Sequence, residues 1–256
     1  MYPTLFKIGN YPVHSWGVML MFAFLLATWR GAKSANRYKV DPQVIWDCAL
    51  YGLIGGVLGG RIAYVIQQPS YFIGHPLEIF AMWQGGSTSF GGFIGGLWAG
   101  MATAKTRGIA LGAAADIAAI GLPLGYVVGR IGCFLNGCCF GTHCTLPWGV
   151  NLPDTAETVG INPVHPVPIY SAICGLIIYG ILHVLEPKKR VPGQLLAMFA
   201  ILYGIYRFGV EFIREGATAK VQFGVLTTGQ YASIAVALVG LGAYLLLAKR
   251  GKKTAA

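Results

Sequence analysis

The run 110–128, ALGAAADIAAIGLPLGYVV, leads without a break into Gly129-Arg130-Ile131-Gly132-Cys133-Phe134-Leu135-Asn136-Gly137-Cys138-Cys139-Phe140-Gly141. The first part is apolar and approaches the roughly 20 residues that a bilayer crossing takes. The second sets an arginine, an asparagine and three cysteines at its mouth. An ionisable group at membrane depth is costly and marks a functional site by default. Arg61, Arg207, Glu211 and Arg214 also lie in or beside apolar runs, so a polar interior is expected rather than one stray charge.

The same patterning recurs along the chain. Its 256 residues are 55% hydrophobic and 11% charged, with a mean hydropathy of +0.60; a single soluble core could not hide that many apolar stretches. About seven candidate spans are read at 13–29, 46–66, 89–104, 110–128, 167–185, 193–213 and 226–248, the third short for a full crossing. The expected fold is an all-α membrane protein of about seven transmembrane helices, forming one integral membrane domain over 1–256.

The net charge of +10 does not point to nucleic acid, because the cations sit in alternate short links: Arg30, Lys33, Arg37 and Lys39; Lys105 and Arg107; Lys188, Lys189 and Arg190; Lys249, Arg250, Lys252 and Lys253. The opposite links hold Glu78, Asp154 and Glu157. By the positive-inside rule the N-terminus is outside and the C-terminus cytoplasmic. The start, Met1 to Lys7, has no basic n-region followed by an h-region and cleavage site, so the first span is expected to be retained. Segments 67–88, 133–166 and 214–225 are irregular and polar, all on the outer side. Of these, 133–166, with Pro147, Trp148, Asn151, Pro153 and Pro163, is expected to form a small periplasmic-side head.

Glycines four apart, Gly55 with Gly59, Gly56 with Gly60, Gly91 with Gly95 and Gly92 with Gly96, suit close helix packing in a membrane. A second reading has Gly85-Gly86 and Gly91-Gly92 shaping backbone beside a lipid cavity. Helical steps of four, four and three put Tyr203, Arg207, Glu211 and Arg214 on one face. Either Arg207 and Glu211 form a structural ion pair, or surplus cations (Arg207 with Arg130, and Arg61 or Arg214) hold an anion. Guanidinium suits phosphate and stays charged when buried, and a phospholipid phosphate is the obvious anion of a bilayer.

Cys133, Cys138, Cys139 and Cys144 are spaced C-x4-C-C-x4-C, which matches no usual zinc pattern, and no metal ligand set is assigned. One or two disulfides, free structural thiols, and metal or redox chemistry all stay open. His165, before Pro166, is either a hydrogen-bonded interfacial anchor or the best imidazole candidate at the outer mouth.

Together these motifs resemble the bacterial prolipoprotein diacylglyceryl transferases. The resemblance runs through Gly55 to Tyr64, Trp83-Gln84-Gly85-Gly86 with Gly91-Gly92-Phe93-Ile94-Gly95, Gly129-Arg130-Ile131-Gly132 with Phe134, Asn136, Gly137 and Gly141, His165-Pro166, Tyr203 to Arg214, and Thr228-Gly229-Gln230. It implies a seven-helix, multi-pass enzyme of the bacterial inner membrane without a cofactor. Such an enzyme moves the diacylglyceryl group of phosphatidylglycerol to the lipobox cysteine in the signal peptide of a preprolipoprotein, forming a thioether and releasing glycerol 1-phosphate. Arg130 and Arg207 match the family's functional arginines. Tyr203, Glu211 and His165 join them as catalytic candidates, with Arg61, Asn136, Gly137, Gly141, Gly91, Gly92 and Arg214 as substrate-binding candidates. Phe90 stands where many members carry His, so the thiol proton passes to Glu211, His165 or the released phosphate. The alternative is a divergent paralogue that binds phospholipid or a lipidated partner, or transfers another lipid group.

Overall fold

The structure, a computed structural model, describes residues 1–9, 11–81, 85–153, 160–215, 221–222 and 225–254. Trp83, Gln84, Asp154 and Glu157 lie outside them. The described chain is mostly helical and falls into two compact units, Met1–Arg30 with Ala115–Ala256, and Gly31–Ala114.

In the first unit, strands β1 (Thr4–Ile8) and β2 (Tyr11–His14) form an antiparallel hairpin that the hydropathy pattern did not reveal. Helix α1 (Ser15–Ala35) begins in this unit and runs into the next. Helix α2 (Pro42–Gln67), the short α3 (Pro69–Gly74) and α4 (Ser89–Thr106) belong to the second unit. Helices α5 (Leu111–Asn136), α6 (Val167–Leu185) and α7 (Gln194–Val210), the two-residue strands β3 (Val221–Gln222) and β4 (Leu226–Thr227), and α8 (Thr228–Thr254) complete the chain. Each expected span coincides with a helix. Five of these are long and apolar enough to cross a membrane, α7 being shorter, and large apolar side chains such as Phe93 (69%) and Trp98 (71%) are exposed. This is the surface of a multi-pass membrane protein.

The second unit shows why its sequence is so rich in glycine. On α2, Gly52, Gly55, Gly56 and Gly59 face Gly96, Gly95, Gly92 and Gly91 of α4. A methyl on Gly59 would lie 2.5 Å from the Gly91 carbonyl oxygen and 2.9 Å from the Gly95 Cα. The packing reading of Gly91 and Gly92 is therefore the one realised. Both helices are capped: the Asp41 carboxylate accepts from Gln43 N at 2.9 Å and the Thr88 hydroxyl from Gly91 N at 3.3 Å, each satisfying an orphan donor of the first turn.

In the first unit the core is Ala119, Ile120, Ile178, Leu182 and Leu195. The end of this unit that holds the predicted cytoplasmic links is fastened by buried charge. Asp116, fully buried, accepts from Lys189 Nζ at 3.0 Å and from the backbone N–H groups of Gly193 (3.0 Å) and Leu195 (2.8 Å), capping α7 from a neighbouring helix. Arg30, counted above as a link cation, is 5% exposed and donates to Tyr179 Oη and Glu186 Oε2, both at 2.9 Å.

Two boundaries differ from expectation in ways that matter for the site. The helix expected to end at 128 continues to Asn136, so Arg130 and Cys133 are helical and the non-helical segment starts at Gly137 rather than 133. The helix expected to reach 213 ends at Val210, so Arg214 is not on the helical stripe of Tyr203 and Arg207. It is instead in a β-bridge with Gly141.

Candidate active site

The segment from Gly129 to Gly141 contains a helix cap. Gly137, at φ 74°, follows the last helical residue. Gly137 N donates to Phe134 O at 3.2 Å and Cys138 N to Cys133 O at 3.1 Å, the two bonds of a Schellman motif, which wants glycine at this left-handed position. Asn136-Gly137 thus ends α5 and turns the chain back over it.

From there the chain is pinned on both sides. Gly141 N donates to His165 O and His165 N to Thr142 O, each at 3.0 Å, while Thr142 N donates to Ile213 O at 2.9 Å. The 140–142 segment is so closely held that a methyl on Gly141 would meet Ile213 O, His165 Cβ and Val167 Cγ2. This clamp draws the chain after α7 out of helical geometry, which is why the stripe stops short of Arg214. His165 Nδ1 lies 3.2 Å from Tyr170 Oη, which accepts from Trp148 Nε1 at 2.8 Å. The histidine is therefore anchored at the border of the site by backbone and side chain alike.

Inside the first unit, α5, α6 and α7 contribute one polar cluster. The Arg130 guanidinium stands 4.8 Å from the centroid of Tyr126, one helical turn back, a cation–π contact. Tyr126 Oη is 3.0 Å from Tyr206 Oη, which donates to Ser171 Oγ at 2.5 Å. Tyr126 also meets Tyr203 edge to face at 5.8 Å. The charges of Arg130, Arg207 and Arg214 all act on Tyr203. Tyr126, Tyr206 and Ser171 were not among the sequence candidates, although Tyr126 precedes Arg130 by four and Tyr206 follows Tyr203 by three, spacings that signal a shared helical face.

Arg207 pairs with Glu211 Oε2. Glu211 is 3% exposed, and its Oε1 has no hydrogen-bond partner among the described residues. The carboxylate rests on Gly229, where a Cβ would lie 2.5 Å from Glu211 Cδ. Gly229 is in the first turn of α8, where the helix dipole favours a carboxylate. That helix starts with a reciprocal capping box: Thr227 N donates to Gln230 Oε1 at 2.9 Å and Gln230 N to Thr227 Oγ1 at 3.2 Å, the arrangement of Ser/Thr-x-x-Glu/Gln starts. In Thr228-Gly229-Gln230, glutamine makes the cap and glycine makes room for Glu211.

Three arginines of this unit, Arg130, Arg207 and Arg214, thus act on Tyr203, and of these Arg207 pairs with Glu211. Arg130 has no hydrogen bond or ion pair among the described residues, and the buried Arg214 Nε has no partner there either. Asn136 interacts with the Cys138 thiol. Hydrogen bonds from Cys133 and Cys138 hold the Cys139 thiol well below the ordinary thiol range, and Arg130 and Arg214 pull the same way against its burial. All six cysteines are free, so the disulfide reading is not realised.

Arg61 belongs to the second unit and is used differently from the expectation that grouped it with an anion. It is 7% exposed and gives Nε to Ile79 O (2.9 Å), Nη1 to Gly85 O (2.7 Å) and Gly86 O (2.9 Å), and Nη2 to Glu78 O (2.5 Å). A guanidinium has five N–H donors. Spent on these carbonyls, it holds the backbone of Glu78-Ile79 and of Gly85-Gly86. Phe90 is 77% exposed on α4.

Residues 3–246 match the family model of the prolipoprotein diacylglyceryl transferases. The chain belongs to this family. It is similar to the phosphatidylglycerol–prolipoprotein diacylglyceryl transferase of Nitratidesulfovibrio vulgaris strain Hildenborough, 35% identical over 245 residues covering 93% of this chain and 92% of the relative. It is also similar to the enzymes of that name from Bordetella avium, 33% identical with 98% and 96% covered, and Geobacter sulfurreducens, 32% identical with 97% and 96% covered. Family membership over nearly the whole chain disfavours the non-transferase paralogue.

Proposed function

We propose that this chain is a transferase that moves the diacylglyceryl group of phosphatidylglycerol to the lipobox cysteine of preprolipoproteins at the bacterial inner membrane. The observation that carries the site assignment is Arg130: a half-buried guanidinium over the Tyr126 ring that makes no hydrogen bond or ion pair to a carboxylate among the described residues. Together with Arg207 and Arg214 it gives this unit a positive surplus that a lipid phosphate neutralises.

The reaction joins the peptide thiol sulfur to the glycerol carbon and breaks that carbon's bond to phosphate oxygen. Glycerol 1-phosphate leaves with the electron pair, and the thiol proton must find a base. Arg130 and Arg207 stabilise the charge that develops on the leaving phosphate, a role that suits preorganised cations in a water-poor site. Tyr203, on which the charges of the three arginines act, orients the headgroup. The unpartnered Oε1 of Glu211 is the best-placed proton acceptor in the cluster, with His165 or the phosphate itself as the other routes. Asn136, Gly137 and Gly141 shape the backbone at the mouth, and Gly91, Gly92 and Arg61 hold the second unit in form for lipid.

In the membrane, all seven long helices cross, with the N-terminus outside, the C-terminus in the cytoplasm and 137–166 forming the outer head of a single integral domain. The alternate basic ends of the helices support this orientation. Purified protein given phosphatidylglycerol and a lipobox peptide should yield thioether-linked peptide and an equal amount of glycerol 1-phosphate. Absence of both products while phosphatidylglycerol stays bound would overturn the proposal.

A further inference from the structure

Three thiols that the transfer reaction does not use meet at the end of α5, and the helix cap is what brings them together. In a Schellman turn the third residue from the helix end lies against the second residue beyond the cap. Here those residues are Cys133 and Cys138. Cys139 comes next in the left-handed region, at φ 62°, a conformation that a residue with a Cβ adopts only against steric resistance. In an extended strand the side chains of neighbours point to opposite sides. The left-handed step instead leaves Cys139 on the side of the other two.

The three sulfur atoms lie within 4.8 Å of one another, each residue half-buried and none oxidised. A metal ion with metal–sulfur bonds of ~2.3 Å holds three thiolates ~3.8–4.0 Å apart, so small side-chain rotations complete the site. Cys144 is 1% exposed and stands outside the group. Among the described residues no histidine or carboxylate joins it. A sulfur-only set is soft and selects ions such as Cu(I) or zinc, and zinc in a structural site takes four ligands. Three thiolates around Cu(I) carry a charge of −2, and Arg130 and Arg214, whose charges act on Cys139, supply +2.

We propose that Cys133, Cys138 and Cys139 form a binding site for one soft metal ion, best suited to Cu(I). Binding forms three copper–sulfur bonds and releases whatever thiol protons remain, with no change of oxidation state. The C-x4-C-C spacing concealed this because the turn, rather than a pair of C-x2-C knuckles, brings the thiols together.

The test uses the full chain in detergent with its thiols reduced, titrated with Cu(I) against a colorimetric Cu(I) chelator. One Cu(I) per chain is expected, with three sulfur neighbours in X-ray absorption. Each of Cys133→Ser, Cys138→Ser and Cys139→Ser should weaken binding by at least ~100-fold, beyond the 10–100-fold typical of an outer-shell change, and Cys144→Ser should leave it unchanged. The absorption measurement on the unaltered protein does not depend on how the variants fold. The proposal is overturned if the chelator strips all copper from protein whose thiols still alkylate, or if the three serine variants retain copper equally.

Discussion

Gly229→Ala probes the Glu211–Arg207 pair without touching either charge. The added methyl would sit 2.5 Å from Glu211 Cδ and 2.8 Å from Oε2, well inside contact distance, and Glu211 has no exposed volume to retreat into at 3% exposure. If the neighbourhood yields, overpacking of this kind costs about 1–3 kcal/mol. If the carboxylate leaves Arg207 unpaired, the loss approaches the ~3–5 kcal/mol of a broken buried pair. Misplacing Arg207 removes a charge-assisted contact to the phosphate worth ~1.5–3 kcal/mol, so kcat/KM for phosphatidylglycerol should fall roughly 10- to 150-fold at ~1.4 kcal/mol per decade. Transfer to a lipobox peptide, followed together with Tm, reads both effects. Glu211→Asp draws the carboxylate back by one methylene, so adding it to Gly229→Ala should recover part of the loss, with a coupling of about 0.5–3 kcal/mol in the double-mutant cycle. Full activity and unchanged Tm in Gly229→Ala would refute the contact, and strict additivity would refute the coupling.

Arg130→Ala should abolish transfer and Arg130→Lys should lower kcat by roughly 10- to 100-fold with little change in Tm, because a point charge cannot reproduce a planar fork; equal activity of the lysine variant would contradict phosphate binding there. Gly141→Ala should lower stability by about 1–3 kcal/mol, since its methyl meets His165 Cβ and Val167 Cγ2, both at 2.8 Å, and thermal unfolding in detergent checks it. Arg61→Lys should speed proteolysis or hydrogen exchange of the loop around Glu78–Ala81, because lysine cannot serve carbonyls in so many directions; unaltered exchange would remove its positioning role.

The helices were legible because seven apolar runs each had to satisfy their own backbone, and the glycine steps of α2 and α4 were legible because close packing leaves a fixed period. Boundaries were harder. Gly129, Arg130, Gly132 and Asn136 interrupt the apolar run over 129–136, and the signal for where α5 ends was Gly137, whose left-handed cap a hydropathy window does not register. Arg214 left its expected stripe because backbone pairing with Gly141, seventy-three residues away in sequence, outweighed local helical continuation. Arg61 shares that lesson: the sequence marks it as costly, but only the fold tells which carbonyls absorb the cost, and the burial of Arg30 and Asp116 with their partners was not read from the sequence at all. The cysteine readings stayed open for the same reason, since the association of Cys133, Cys138 and Cys139 depends on a turn and not on a ligand pattern.

The most direct test of the central claim is a structure of the protein with phosphatidylglycerol bound. The account predicts the lipid phosphate within hydrogen-bond distance of both the Arg130 and Arg207 guanidinium groups, with the glycerol backbone toward Tyr203 and Glu211. A phosphate held elsewhere, with Arg130 still stacked on Tyr126 and touching no lipid, would contradict it.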